Sequence, residues 1–187
     1  MTGNWEVYVD GSVFNNGTEL AYGGYGICAV VDSAVVLLAG GHISPRCTNN
    51  IAELTALMTA LRLAPASAVF YSDSQYVVQG LNSWCEGWER RGWTTGEGKP
   101  VSNSGLWKKL LHQYRSQPRR VEWLRGHDRN PGNEVADYVA HYHGTHQRQS
   151  QRCLRESPWP LESLFQSLPR QRKRSLELVG QWFAEPS

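Results

Sequence analysis

Four acidic side chains with the chemistry of hard metal ligands are spread along this chain: Asp10, Glu53, Asp73 and Asp137. Asp10 and Asp73 each end an apolar run typical of a strand, whereas Glu53 and Asp137 lie near the starts of helical patterns. Carboxylates that converge repel one another unless a cation neutralises them, and their oxygens suit Mg²⁺ or Mn²⁺. We therefore expect one site for metal-assisted phosphodiester chemistry.

Each acid also has a purely structural explanation. Asp10 precedes a glycine and is compatible with an ordinary turn. Asn50 and Glu53 have the spacing of a capping box, and Asp73 is placed to cap the helix that follows it. Asp137 would then be a solvated helical acid. The order of the elements that carry the four acids favours a common site over four separate explanations.

The segment GHDRNPGNEVAD, residues 126–137, adds further polar groups to this set. It predicts that His127 lies on a loop, that Asn133 is the N-cap of a helix, and that Asp137 follows one turn later. A loop histidine beside a metal cluster has the right pKa to move protons or to help a product leave. Asn133 is expected to support the site.

The elements that must position these residues are predicted to follow the order β-β-β-α-β-α-α-β-α. The strands are expected at residues 6–10, 25–32, 35–43, 69–72 and 119–124, with a hairpin turn at 32–34. Helices are expected from Thr48, over 74–84, over 106–114 and over 133–143. This order predicts an α/β fold with one mixed sheet and helices on its faces.

Charge and composition divide the chain near residue 145. The formal net charge of +2 combines a net of −1 for residues 1–145 with +3 for residues 146–187. We call residues 146–187 the tail. Its first part, residues 146–160, is polar and is predicted to be a linker, followed by short helices and a basic cluster of Arg170, Arg172, Lys173 and Arg174.

The four cysteines are scattered and form no C-x-x-C pair, so we expect reduced thiols rather than a zinc site. The first residues lead directly into a predicted strand without the charged and apolar regions of a signal peptide. No run of residues approaches the length of a membrane span. These features predict a cytoplasmic protein that does not contact a membrane.

Four segments carry a resemblance to a known family: VYVDGS, TNNIAEL, YSDSQYVVQGL and GHDRNPGNEVAD. They resemble the motif blocks of type 1 ribonuclease H, the bacterial ribonuclease HI group, over residues 5–143. The resemblance implies a ribonuclease H-like fold, with a five-stranded mixed β-sheet flanked by α-helices, in a catalytic domain of residues 1–145. It also implies an endonuclease that hydrolyses the RNA strand of RNA–DNA hybrids and leaves 5′-phosphate and 3′-hydroxyl ends.

The same resemblance implies roles for the acids. Two Mg²⁺ ions, or Mn²⁺ in their place, would lie about 4 Å apart across the scissile phosphate. Asp10 would bridge both ions, Glu53 and Asp73 would complete one coordination shell, and Asp137 would complete the other. His127 matches the histidine of the family's flexible loop.

Substrate contacts are implied in two groups. Asn16, Asn50 and Gln75 match residues that read RNA 2′-hydroxyls near the active site, and Thr48 and Asn103 match a pocket for a DNA phosphate. The tryptophan-rich segment 84–107 resembles the family's basic protrusion, here called the handle. Trp88 and Trp93 are expected to contact sugars or bases, and Trp84 and Trp107 to pack between helices. A further expectation is that Gly23, Gly24 and Gly26 admit a nucleic-acid backbone.

The chain departs from the family pattern in its charge. The handle has few lysines, and Ile51 occupies a position where the family often has arginine. Because affinity for nucleic acid depends on neutralised phosphates, the grip on the hybrid is expected to be weak. The basic cluster of the tail would compensate by binding phosphates. Alternatively the tail docks on the domain, or it binds a protein partner through Trp182 and Phe183.

Two other function classes remain open from the residues. An integrase-like strand transferase shares the sheet and the acids but usually lacks the handle and the GHDRNPGNEVAD block. A non-catalytic nucleic-acid-binding module would not need all four acids and the histidine, which are present here. We expect a monomeric enzyme.

Overall fold

A mixed β-sheet forms the centre of the molecule in this computed structural model, which describes residues 3–126, 128–168 and 176–184. Six strands are hydrogen-bonded in the order β5-β4-β1-β2-β3-β6, and β7 also pairs with β3. β1 is antiparallel to β2 and parallel to β4, which is parallel to β5. The strands are β1 (Trp5–Phe14), β2 (Tyr22–Val31), β3 (Ala34–Ile43), β4 (Val69–Ser72), β5 (Arg120–Trp123), β6 (Gln149–Cys153) and β7 (Trp159–Pro160).

The first three strands form an antiparallel meander. Asp32 and Ser33 connect β2 to β3 with positive φ angles of 49° and 65°, which is the backbone of a two-residue hairpin turn. The predicted hairpin is therefore confirmed. β1 is longer than its predicted 6–10, because residues 11–14 continue the ladder with β2. Asp10 lies in the middle of a strand and does not begin a turn.

Seven α-helices flank the sheet within the described ranges, and none of them combines the length and apolar character that crossing a membrane requires. A π-helical turn at Gly80–Trp84 joins the second helix to the third. The helices are α1 (Asn49–Leu63), α2 (Gln75–Gln79), α3 (Cys85–Arg90), α4 (Ser104–Ser116), α5 (Pro131–His146), α6 (Leu161–Ser167) and α7 (Leu176–Phe183).

The two faces of the sheet are covered by different helices. α1 and α4 bury one apolar cluster against β1, β2 and β3, with Leu54, Leu57 and Trp107 fully enclosed. α5 covers the opposite face, where Val135 and Val139 pack on side chains of β2 and β3. Burial of apolar area on both faces, at about 25 cal/mol per Å², is the main force that fixes these helices on the sheet.

The tail adds two strands to the sheet, so the predictions of a five-stranded sheet and of a polar linker at 146–160 were wrong. β6 pairs with β3 from Leu37–Cys153 to Gly41–Gln149. The error has a physical cause: an edge strand is held by backbone hydrogen bonds to one neighbour and needs no apolar alternation. The sequence QSQRC therefore has the polar composition of a loop, although it forms a strand that pairs with β3.

The helices of the tail cover the outer side of α5. Leu154, Leu164, Val179 and Trp182 are buried in the same cluster as Val139 of α5. The described part of the tail is therefore docked, as one of the three alternatives predicted. Trp182 is buried and Phe183 is partly buried against that cluster, and binding of a protein partner through these residues stays a prediction. The basic cluster Arg170, Arg172, Lys173 and Arg174 lies outside the described residues.

Candidate active site

Parallel pairing of β1 with β4 brings two of the four acids side by side. Tyr8 pairs with Tyr71, and Asp10 and Asp73 each lie two residues further along their own segments. The Asp73 carboxylate therefore emerges beside that of Asp10, just where β4 ends. This adjacency follows from the strand register alone.

Glu53 reaches the same point because α1 lies unusually close to β1. A Cβ built on Gly11 would be 2.7 Å from both the Ala52 Cβ and the Glu53 amide nitrogen, so only glycine permits this approach. The hydroxyl of Thr48 caps α1 by accepting from the Ile51 amide. Asn50 is thus inside the helix, and the alternative in which Glu53 forms a capping box with it is wrong.

Asp137 is brought in from the other face by a second close approach. A Cβ on Gly26 would overlap the Ala136 carbonyl oxygen and lie 2.5 Å from the Ala140 amide nitrogen. Gly26 pairs with Asp10 across the β1–β2 ladder. Gly26, the residue opposite Asp10, therefore allows α5 to pack closely on the sheet next to Asp137.

The acids form one dense cluster of negative charge. Ligand oxygens of Asp10, Glu53 and Asp73 all lie within 4.8 Å of one another. Burial raises the pKa of Asp10 well above its ordinary value, and the charges of Glu53, Asp137 and Asp73 raise it further. Burial likewise raises the pKa of Glu53, together with the charges of Asp73 and Asp137. Asp137 is outside the 4.8 Å group, but its field acts on both buried acids.

The donor set fits a divalent cation. Glu53 Oε2 is buried and has no hydrogen-bond partner, so its lone pairs are available to a ligand. Asp10 Oδ1 accepts from the Gly11 amide at 2.7 Å, which fixes the carboxylate in place. All candidate ligands are carboxylate oxygens, the type that Mg²⁺ and Mn²⁺ prefer. A bound cation would remove the repulsion that raises both pKa values.

Comparison with known proteins identifies this arrangement. A model of the RNase H family matches residues 3–143, the span that contains all four acids. This chain belongs to the RNase H family. It is therefore an endonuclease of the hydrolase class, and family membership decides against the strand transferase and the non-catalytic module.

Curated relatives agree with the family match. The ribonuclease H of Cupriavidus necator is 40% identical over 138 residues, which cover 72% of this chain and 90% of the relative. The ribonuclease H of Stutzerimonas stutzeri is 38% identical over 143 residues, which cover 75% of this chain and 91% of the relative. Both relatives are thus matched over nearly their whole length.

Solved structures confirm the ribonuclease H-like fold. A crystal structure of a type 1 RNase H with the type 2 active-site motif superposes with a TM-score of 0.73 at 25% identity, covering 94% of this chain and 86% of the other. A foamy viral protease-reverse transcriptase in complex with RNA/DNA hybrid gives 0.64 at 19% identity, covering 74% of this chain and 19% of the other. The first alignment extends into the tail of this RNase H.

Asn133 supports the site, but not as a helix cap. α5 begins at Pro131, and Asn130 is its N-cap because the Asn130 side chain accepts from the Asn133 amide. Asn133 Nδ2 instead donates to Asp73 Oδ2 at 3.4 Å, and Asn133 itself is buried. Proline at the first helical position explains the earlier start. His127 lies outside the described residues.

The polar residues predicted to contact substrate have different surroundings. Asn16, Thr48 and Gln75 are exposed, and Asn50 is half-buried. Asn103 has a left-handed backbone with φ of 58°, and its Nδ2 donates to the Tyr76 hydroxyl at 3.4 Å. All five are on or near the surface, which leaves their substrate roles as predictions.

The glycines of β2 do not have the role that the sequence predicts for them. A Cβ on Gly24 would lie 2.9 Å from Gly144 Cα, and one on Gly26 would overlap α5. A Cβ on Gly23 would lie 2.8 Å from Cys47 Sγ. These glycines make room for the protein's own backbone and side chains, so the expectation that they admit a nucleic-acid backbone was wrong.

The aromatic rings of the handle form a cluster of tilted and edge-to-face contacts. Trp107 is fully buried and donates to the Tyr76 hydroxyl at 2.7 Å, which confirms its packing role. Trp84 was expected to be buried as well, but it is 37% exposed and lies against Trp88. Trp84 is the last residue of the π-helical turn, whose buried residues are Gly80 and Leu81.

Lys108 is a cation that the predicted handle segment, which ends at residue 107, left out. Its Nζ lies 5.6 Å from the centre of the Trp93 ring. Lys108 is in α4, one residue after the tryptophan that closes the segment. A count of charged residues that included α4, the helix that packs against the handle, would have found Lys108.

Proposed function

We propose that this RNase H hydrolyses the RNA strand of RNA–DNA hybrids with two divalent cations, Mg²⁺ or Mn²⁺, held by Asp10, Glu53, Asp73 and Asp137. The products would carry 5′-phosphate and 3′-hydroxyl ends. One observation carries the proposal: three of these acids converge within 4.8 Å around a buried carboxylate oxygen that has no other partner. Family membership supplies the reaction class.

The chain's own residues contribute orientation and charge. The Gly11 amide holds the Asp10 carboxylate at the centre of the cluster, and Asn133 holds that of Asp73. The bound cations would lower the pKa of a coordinated water and neutralise charge on the attacking and leaving oxygens. We assign His127, which falls between β5 and α5 in the sequence, to proton movement near the leaving group.

Substrate contacts would run outwards from the acids on both sides. Asn16, Asn50 and Gln75 are proposed to contact ribose 2′-hydroxyls, and Thr48 and Asn103 a DNA phosphate. Trp88 and Trp93 would contact the DNA strand, with Lys108 adding positive charge beside a handle that has few lysines. The basic cluster of the tail remains a proposed additional phosphate contact.

We further propose that the protein acts as a monomer in the cytoplasm. All four cysteines are free, and Cys28, Cys47 and Cys85 are buried. Thiols that serve as small core residues suit a reducing compartment.

The proposal is tested by cleavage of labelled RNA–DNA hybrid beside duplex DNA and duplex RNA, with Mg²⁺ and with EDTA. We expect Mg²⁺-dependent cleavage of the hybrid alone, with 5′-phosphate ends that a phosphatase removes. Asp10→Asn should lower the rate by about 10³-fold or more, because removing one member of a catalytic unit disables the whole unit. Hybrid cleavage by folded Asp10→Asn at the wild-type rate would overturn the assignment.

A further inference from the structure

Trp123 is a large aromatic side chain in an unusual place. It is the last residue of β5 and pairs with Ser72, the last residue of β4. Its side chain is 46% exposed, yet its indole Nε1 donates to the backbone carbonyl oxygen of Asp73 at 3.0 Å. An exposed indole has water available as an acceptor, so this bond is not forced by burial.

The Asp73 carbonyl lies where the chain changes from strand to helix. The β4–β5 pairing ends at Ser72, whose carbonyl accepts from the Leu124 amide at 3.1 Å. α2 starts after its N-cap Ser74. Asp73 is therefore between two regular elements, and the indole is the donor that its carbonyl finds within the described part of the chain.

Other groups constrain the Asp73 carboxylate from the same side. A Cβ on Gly126 would be 2.7 Å from Asp73 Oδ2, so the segment after β5 lies directly against that oxygen. Asn133 Nδ2 donates to the same oxygen. The Trp123 indole donates to the Asp73 backbone, whereas Gly126 and Asn133 lie against the Asp73 carboxylate.

We propose that Trp123 is a positioning residue for the metal site. Its indole N–H fixes the peptide that carries Asp73 and so sets the direction of the carboxylate towards Asp10 and Glu53. The inference rests on the proposed metal-dependent function. Partners that orient a ligand typically change metal affinity by tenfold or more when they are removed. A single exposed hydrogen bond is worth about 1 kcal/mol, or about fivefold.

The role depends on the N–H group rather than on the ring. Indole is a donor only, and phenylalanine keeps an aromatic ring of similar placement without the donor. Trp123→Phe and Trp123→Ala therefore remove the same hydrogen bond but differ in what remains of the side chain. Trp159→Phe serves as the matched control, because Trp159 lies in β7 at the far edge of the sheet and contacts Arg152.

The test measures metal affinity in two ways. The first is the Mg²⁺ concentration for half-maximal hybrid cleavage; the second is Mn²⁺ binding without substrate, followed by electron paramagnetic resonance. We expect Trp123→Phe and Trp123→Ala to weaken both about five- to tenfold, with KM for hybrid at saturating Mg²⁺ within about twofold of wild type. Trp159→Phe should retain wild-type metal affinity. Circular dichroism confirms that each variant is folded.

Three outcomes overturn the inference. Wild-type metal affinity in folded Trp123→Phe removes the role of the N–H. Loss of affinity in Trp123→Ala alone assigns the effect to ring packing. A raised KM with unchanged metal affinity makes Trp123 a substrate contact instead. Failure of the proposed function is distinguishable, because the wild type itself would then neither cleave hybrid nor bind Mn²⁺.

Discussion

Gly26 in β2 lies so close to the Ala136 carbonyl of α5 that no Cβ fits between them. This contact sets the distance between α5 and the sheet near Asp137. Gly26 also pairs with Asp10 in the neighbouring strand. The position of Asp137 relative to Asp10 thus depends on a residue that has no side chain. A methyl group at this position would separate the two carboxylates.

Gly26→Ala is expected to damage both stability and activity. The added methyl must push α5 outwards, and overpacking of this kind costs about 1–3 kcal/mol. Because Asp137 moves with α5, cleavage should fall by more than the fraction of unfolded protein explains. Urea denaturation and hybrid cleavage at a temperature where the variant is folded measure the two effects.

Gly105→Ala is the matched control for that substitution. Gly105 is in α4, and nothing lies within 4 Å of a Cβ built on it. Alanine in a helix should be neutral or stabilise by up to about 1 kcal/mol. If Gly26→Ala proves as harmless as Gly105→Ala, the close approach of α5 does not define the site.

Glu53→Gln should weaken metal binding without lowering the stability of the metal-free protein. Neutralising a buried acid whose pKa is raised by burial and by Asp73 removes repulsion, so the metal-free variant should melt at or above the wild-type Tm. Mg²⁺ at a hundred times its Kd should stabilise the wild type by about 2.7 kcal/mol, and EDTA should reverse this. The variant should lose most of the Mg²⁺ effect. Differential scanning calorimetry with and without metal measures it.

Glu156→Gln provides the control for this comparison, because Glu156 is an exposed acid of the tail. It should keep the full Mg²⁺-induced rise in Tm. An equal rise in Glu53→Gln and in the wild type would show that the cation binds elsewhere.

His143 gives the protein a predictable dependence of stability on pH. Its Nδ1 faces the Val139 carbonyl at 2.8 Å and must donate, so the neutral ring accepts at Nε2 from Ser150. Burial lowers its pKa from 6.5 to about 4, and His146 contributes in the same direction. The unfolded chain therefore takes up a proton below pH 6.5 that the folded chain does not take up until about pH 4.

The sign follows from linkage. Because the unfolded state binds more protons between pH 6.5 and 4, acidification over this window destabilises the fold, and the contribution is complete above pH 6.5. The loss should reach about 2 kcal/mol near pH 4.5. Urea denaturation of wild type and His143→Asn at pH 7 and 4.5 tests this. The free energy of unfolding should fall by about 2 kcal/mol more in the wild type; parallel losses would contradict the prediction.

Trp182→Ala should show that the tail is part of the core. Trp182 is buried beside Val139, and removing a buried tryptophan costs about 3–5 kcal/mol. Leu20, which is 79% exposed, is the control: Leu20→Ala should change stability by less than about 0.5 kcal/mol. Thermal denaturation measures both. A Trp182→Ala variant as stable as the control would contradict the docking of α7.

Deleting residues 145–187 tests whether the tail contacts the substrate. Docking alone predicts loss of stability with an unchanged KM for hybrid at low temperature. A raised KM with a flatter salt dependence would assign phosphate contacts to the basic cluster of the tail.

The sequence predicts the carboxylate cluster well because each acid is tied to a strong local pattern. The apolar runs before Asp10 and Asp73 define neighbouring strands, and the register then places both acids together. The motif resemblance adds Glu53 and Asp137. The end of β1 is less predictable, since Gly11 and Ser12 have turn propensity that the ladder with β2 overrides.

Contacts between distant segments account for what the sequence does not predict. The indole of Trp123 meets Asp73 only because β5 and β4 pair, and nothing around Trp123 in the sequence indicates this. The pairing of β6 with β3 joins backbones and leaves little trace in side-chain pattern. The lack of side chains at Gly24 and Gly26 does not indicate in the sequence which backbone comes close, and it is that of α5.

The pairing of β6 with β3 also bears on self-association. Without it, the sheet would end in the ten-residue strand AVVLLAGGHI, a long apolar edge of the kind that joins the edges of other molecules. With it, the outer edge becomes QSQRC, five residues long and polar apart from Cys153. Short polar edges resist intermolecular strand addition. We therefore expect the tail to protect this enzyme against aggregation, whether or not it ever touches the substrate.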